Sequence, residues 1–453
     1  MERRSDQEEG RPSGTNSNQP VSNYERQDNP RDWWNSINEA WRKVFKTAIG
    51  IENEPNDQEL EDIINVERIY LYIDADQIKD IVDLKPLLRL KKLKALDATS
   101  VKIDRLDNIT HLPELRELHI SSTNVTSLEP LRKLKELEHL NIGNTSIQNL
   151  EPIRDLVNLK SLYLSQSRVK DLSVLKNLVS IQNLDVSYLK INSLEGIEGM
   201  TGMLSLMCSS TRISSIEPLR NMTQLQTLYL MNTRVTDLSP LENITTLITL
   251  DAGDSRITDI KAIQKMTNLE YLYIGRTDIT SLSGLENLTG LKALYIPDTG
   301  ISDLTPVSAL AKLESIDASR SDLKDLSPLL ECAELKSLYM SYTEVNSLKG
   351  LEKLTQLDNL TVGNTDITDL SPLAGLMKLR SLDFSYTSVK NIDALKSLDE
   401  LEYVSMGSTM IKSLLPLSGK SKLMNIYCYN SPLKKEDVDA FVSENSGCTV
   451  DFY

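Results

Sequence analysis

The chain has 453 residues, and its 50 basic and 65 acidic side chains leave a formal charge of −15. That balance argues against nucleic acid and anionic membrane, whose phosphates attract Lys and Arg, and favours neutral or basic partners. No run approaches the ~20 apolar residues of a spanning helix, and residues 1–28 hold no apolar stretch of the kind a secretory leader needs, so a cytoplasmic location is the expectation.

Residues 1–28 are polar and charged and read as a disordered tail. Residues 29–66 read as a helical N-terminal cap. Asn29 followed by Pro30 has the form of a helix start. Ile37, Trp41, Val44, Phe45 and Ala48 then recur at helical spacing until Gly50. A second short helix is expected over 57–64. All three tryptophans fall in this segment, where covering an open core is a commoner role than forming an epitope.

From residue 67 to 431 the sequence repeats every 22 residues. Leu118 and Ile120 align on Leu140 and Ile142, and the register runs without insertion to Ile426 and Cys428. Backwards, Leu96 and Ala98 fit the same period, and Leu71 with Ile73, 25 residues before them, is taken as the first pair, giving 17 units. The alternating apolar pair marks a short strand with one buried face. The apolar triplet that follows, as in Leu238, Leu241 and Ile244, fits a helical or 3₁₀ turn. Asp171, Asp237, Asp259, Asp303, Asp325 and Asp369 stand where they can cap those turns, and a proline recurs near the turn start, as at Pro240 and Pro328. One 22-residue unit cannot bury its leucines alone, so stacked units must form one core and one parallel sheet. At about 4.8 Å per rung the arc spans roughly 80 Å.

The residue between the two inward positions of each strand points out of the sheet. That column is rich in Tyr and Asp, among them Tyr163, Asp185, Tyr229, Asp251, Tyr273, Tyr295, Asp317, Tyr339 and Asp383, and starts at Tyr72. The column two residues further on is mostly Ser and Gly. Tyr with small polar neighbours is a composition suited to protein recognition, because the ring offers amphipathic area with few rotors to freeze. The bland alternative is that Tyr is a good strand former stacking on the next rung. Four of the aspartates recur every third rung. Leu189 replaces a repeat hydroxyl, and the Gly- and Met-rich stretch after it reads as a decayed repeat or a joint. Residues 432–453 read as a C-terminal cap, with a helix over 434–443 presenting Val438, Phe441 and Val442, then a strand alternating Cys448, Val450 and Phe452.

The pattern resembles the 22-residue leucine-rich repeats of bacterial internalins and of eukaryotic phosphatase-regulatory repeat proteins. The resemblance implies an α/β solenoid: a right-handed leucine-rich-repeat superhelix of about 17 rungs with a concave parallel sheet, a helical N-terminal cap and an α/β C-terminal cap. It also marks a departure. Where the family carries a buried Asn that ties neighbouring turns, this chain has Thr or Ser, such as Thr145 and Thr277; a hydroxyl can still take that role.

No catalytic constellation appears. The aspartates that recur every third rung stand about 14 Å apart, too far for paired-carboxylate hydrolysis, no Gly-rich phosphate loop is present, and the four cysteines lack metal-ligand spacing. His119 and His139, near Asp97 and Glu117, form at most a weak metal candidate beside the simpler reading of exposed strand histidines. The expectation is therefore a monomeric, non-catalytic scaffold without cofactor or metal. It binds a protein or peptide, preferably basic, on the nine Tyr and Asp positions named above. A secreted or surface-exposed internalin-like adhesin or effector is the alternative, and an enzyme with an unrecognised site is a third.

Overall fold

The computed structural model describes residues 29–71 and 80–452. The tail at 1–28 and the positions Tyr72 and Ile73 lie outside them. Among the described residues, eighteen three-residue strands form one parallel sheet in sequence order, from β1 (Arg68–Tyr70) and β2 (Ala95–Asp97) to β17 (Asn425–Tyr427) and the closing β18 (Thr449–Asp451). The core is continuous from Trp33 to Cys448. Leu228 and Leu230, an inward pair at mid-solenoid, are fully buried.

The first rung departs from expectation. Ile69, not Leu71, pairs with Leu96, and the Leu71 amide donates to the Asp97 carbonyl. The inward pair is thus Ile69 and Leu71, and Tyr70 heads the outward column in place of Tyr72. A shift of two residues keeps every side chain on its face, so alternation alone could not choose between the two registers.

Within the solenoid a strand leads through a tight turn to a 3₁₀ segment such as Ser239–Leu241, with proline at its first turn; after the strand Asn183–Asp185 the Gly-rich stretch forms turns only. The aspartates before these segments cap them: Asp237 accepts from the Ser239 amide at 2.7 Å, and Asp325 from the Ser327 amide at 2.9 Å. Gly196, Gly284 and Gly350 take the proline position with φ near +100°. At Gly196 a Cβ would meet the Leu172 carbonyl oxygen at 2.4 Å. The Met-rich repeat around it stays in register, with Met200 and Met203 buried.

The hydroxyl column behaves differently from a tie between turns. Thr145 donates to the Ile142 carbonyl and Thr277 to the Ile274 carbonyl, both at 2.7 Å and both within one rung. A short hydroxyl has one proton, and the nearest carbonyl takes it. The rungs are instead tied by backbone: Asn144 donates to the Ser165 carbonyl one rung on. The residue in this position is left-handed at sixteen successive turns, from Ser100 to Asn430, and none is glycine.

Two caps close the ends. The N-terminal segment is two helices rather than one, α1 (Pro30–Ser36) and α2 (Glu39–Ile49), because Asn38 starts a second helix by accepting from the Trp41 amide. Gly50, at φ +76°, ends α2. Ala48 is exposed, whereas Trp33, Trp34 and Trp41 are buried over the first rung, so these rings are core. Helix α3 (Asp57–Ile64) starts with a capping box of Asn56 and Glu59. At the far end α4 (Lys435–Glu444) buries Val438 and Phe441 but leaves Val442 exposed. Lys420 replaces the apolar residue of its repeat. Its buried Nζ donates to the carbonyls of Lys396 and Leu398 at 3.1 and 2.9 Å.

Candidate interaction face

The strand register places Tyr229, Asp251, Tyr273, Tyr295, Asp317 and Tyr339 side by side on β8 (Thr227–Tyr229) through β13 (Ser337–Tyr339). All six are partly exposed. Tyr163 pairs with Asp185 two rungs before this row, and Asp383 lies beyond it next to Thr361. The nine expected positions therefore share one face, though only these six form a run longer than two rungs.

The aspartates have a structural task the sequence reading missed. Asp185, Asp251, Asp317 and Asp383 each accept a hydrogen bond from the amide two residues on, at 2.9 to 3.1 Å. Asn141 does the same to Gly143. This is the local Asx-turn bond, and its signal was legible: Asp or Asn followed two residues later by Ser or Gly at a strand end. Asp251 differs in degree. Burial pushes its carboxyl above the usual range, Asp254 adds to the rise, and the Gly253 amide opposes it. Burial and the neighbouring Tyr295 also raise the Tyr273 hydroxyl.

The small column is partly explained from within. A Cβ on Gly275 would meet the Pro297 ring at 2.6 Å, and one on Gly407 would meet the Tyr429 ring at 2.5 Å. Those glycines accommodate neighbouring rungs, while Ser187 and Ser319 serve as amide donors to the aspartates.

A flanking column carries a further signal. Two residues before the inward pair, most rungs carry a charged side chain, and opposite charges pair across rungs: Lys160 with Glu138, Lys292 with Glu270 and Lys336 with Glu314. From Gln182 to Ile248 this ladder stops, and the positions are Gln, Leu, Gln and Ile. Leu204 is partly exposed there, Ile248 is exposed, and Met231 is exposed beyond Tyr229. The central sheet around Tyr229 thus has an apolar border where the flanking rungs have ion pairs. Individual apolar residues are unremarkable on a surface; this clustering beside a tyrosine row is what marks a patch.

Among the described residues no group of three or more His, Cys, Asp and Glu side chains is placed to hold a metal ion. His119 Nε2 lies 3.1 Å from Glu117, which also meets Arg68 at 3.3 Å. The four cysteines are buried free thiols.

Three stretches, 113–155, 203–243 and 245–287, match the family described as leucine-rich repeats in two copies. Among solved structures the chain is similar to an internalin, InlF of Listeria monocytogenes. Identity is 22%, TM-score 0.51, and the match covers 86% of this chain and 94% of that one. A leucine-rich-repeat protein of Leptospira interrogans gives 17% identity and a TM-score of 0.63, covering 84% and 98% of the two chains. The ectodomain of the plant receptor kinase GASSHO1/SCHENGEN3 of Arabidopsis thaliana, solved in complex with Casparian strip integrity factor 2, gives 15% and 0.62, covering 81% of this chain and 56% of that one. These likenesses establish the leucine-rich-repeat fold. No curated protein matches the sequence.

Proposed function

We propose that this leucine-rich-repeat solenoid, with its internalin-like repeats, is a non-catalytic scaffold that binds a protein or peptide on the concave sheet around Tyr229 to Tyr339. One observation carries the reading: a consecutive Tyr and Asp row meets an apolar border where the charged column beside it lapses over four rungs, from Gln182 to Ile248. Hot spots combine such central aromatics with surroundings that exclude water. The free carboxylate oxygen of each aspartate, its partner being bound to backbone, favours a basic or amide-rich ligand. The fold hosts many unrelated binders, and the plant ectodomain solved with a bound factor is one instance of the architecture in a complex. Cytoplasmic residence belongs to the same proposal and agrees with four free thiols. Affinity capture from the native cell, followed by calorimetry with Tyr→Ala variants, tests the reading; retained affinity in all of them would refute it.

A further inference from the structure

The edge beyond the strands carries a charge pattern independent of the concave face. Six residues after each first inward position, the side chains of five successive rungs are basic: Arg168, Lys190, Arg212, Arg234 and Arg256. All five are exposed, and no ion pair to them is found among the described residues. The next five rungs invert the sign, with Asp278, then Gly300, then Asp322, Glu344 and Asp366. These are exposed as well. The backbone fixes the column, since the amides of Arg212, Arg234 and Arg256 donate to the rung before. A chain of net charge −15 has no compositional reason to line up five cations. Such a row on its own would suggest an anionic ligand, but its acidic continuation would repel one.

The column is antisymmetric about the point between Arg256 and Asp278. Turning a second copy around a two-fold axis there brings Arg168 opposite Asp366, Lys190 opposite Glu344, Arg212 opposite Asp322 and Arg256 opposite Asp278. Arg234 then faces Gly300, with no charge to oppose it. A two-fold contact requires this self-complementarity, because residue i meets j while j meets i.

The left-handed column beside it passes the same test. The same operation sets Tyr188 against Tyr342, Asp254 against Arg276, Ser210 against Arg320 and Asn232 against Asp298. No like charges meet. Tyr188 and Tyr342 are 56% and 49% exposed, and the Arg320 guanidinium already lies over the Tyr342 ring at 4.1 Å. The two columns form one surface: Gln166, Tyr188, Arg168 and Lys190 line a common groove.

We propose that this edge is a homodimer interface, in which two copies pair antiparallel across rungs 5 to 14, over roughly 40 Å. The partner is a second copy of this chain because the chain itself carries the inverse pattern at the matching distance. The charges set register and encounter rate, and the tyrosines supply the apolar contact. The concave sheet remains open in this pairing, so the inference stands apart from the proposed ligand face.

A charge swap tests it. Sedimentation of the full chain at low salt should show a dimer that dissociates as salt rises. Arg212→Glu alone, and Asp322→Arg alone, should each raise the dimer dissociation constant at least tenfold. The double variant restores opposite signs at both symmetry-related contacts and should return to within threefold of the parent. Circular dichroism melts should match in all four proteins, since both side chains are exposed. A parent that sediments as a monomer at every concentration, single variants that dimerise like the parent, or a double variant that stays dissociated would each overturn the proposal.

Discussion

Tyr273 and Tyr295 stack face to face on adjacent strands, their ring centroids 4.7 Å apart and their planes 7° from parallel. The contact answers part of the question of why tyrosine recurs on this sheet. The two rings stabilise one another across rungs, and the same stack presents a flat aromatic platform to solvent. A double-mutant cycle of Tyr273→Ala and Tyr295→Ala in urea should give a coupling energy of about 0.5–1.5 kcal/mol. Additive losses would mean that the rings stand independently.

Asp→Asn at 185, 251, 317 or 383 keeps the oxygen that accepts the amide two residues on. Stability should therefore change little, whereas Asp→Ala should cost about 0.5–1.5 kcal/mol per site. Chemical denaturation of the two series distinguishes this turn-holding role from a purely recognitive one. Equal costs for Asn and Ala would contradict it.

Gly275 is held small by Pro297. Gly275→Ala should destabilise by about 1–3 kcal/mol through overpacking. Adding Pro297→Ala should recover most of the loss, because it removes the ring atoms that the new methyl meets. A double variant no better than Gly275→Ala would show that the backbone, not the ring, imposes the glycine.

Acid should weaken the turns. Hydroxyl and amide donors of Ser239, Ser327 and Ser371 hold the carboxyls of Asp237, Asp325 and Asp369 below their ordinary range. A folded value below the unfolded one gives stability that is complete above the unfolded value and is lost as pH falls through the folded one. The thermal midpoint should thus drop as pH falls below about 4, and less so in a triple Ser→Ala variant. Asp251 has the opposite sign: its raised value makes its contribution grow on acidification. A variant with Asp251→Asn should lack that part of the profile.

Much of the fold was legible because burial enforces period. Leu228, Leu250 and Leu272 have no alternative to the core, and Asn56 with Glu59 announces α3. The misses have physical reasons. Ile69, Leu71 and Ile73 form a continuous alternation, so only pairing with Leu96 sets the register. Asn38 restarts a helix whose apolar spacing looked unbroken. The left-handed turn column could not be read, because Arg276, Tyr342 and Gln166 carry none of the glycine preference that normally marks such a backbone. In the candidate face the tyrosine positions were readable from the alternation, whereas the aspartate-to-amide bonds and the apolar border of Leu204 and Ile248 needed the neighbouring columns in register.

The end caps give a further expectation. Removing residues 1–66 strips Trp33, Trp34 and Trp41 from the first rung and exposes Ile69 and Leu71. A solenoid end without its polar cover frays or self-associates, and light scattering should show aggregation. An unchanged melt in a truncated, dispersed protein would contradict the cap role.

On the proposed reading, the concave Tyr and Asp row binds the partner. The most direct measurement is titration calorimetry of the captured partner against Tyr229→Ala, Tyr273→Ala, Tyr295→Ala and Tyr339→Ala, with the exposed convex substitution Val179→Ala as control. The row predicts a loss of about 1–3 kcal/mol for each tyrosine and none for the control. Parent-like affinity in all four tyrosine variants, with a loss in the control, would contradict it.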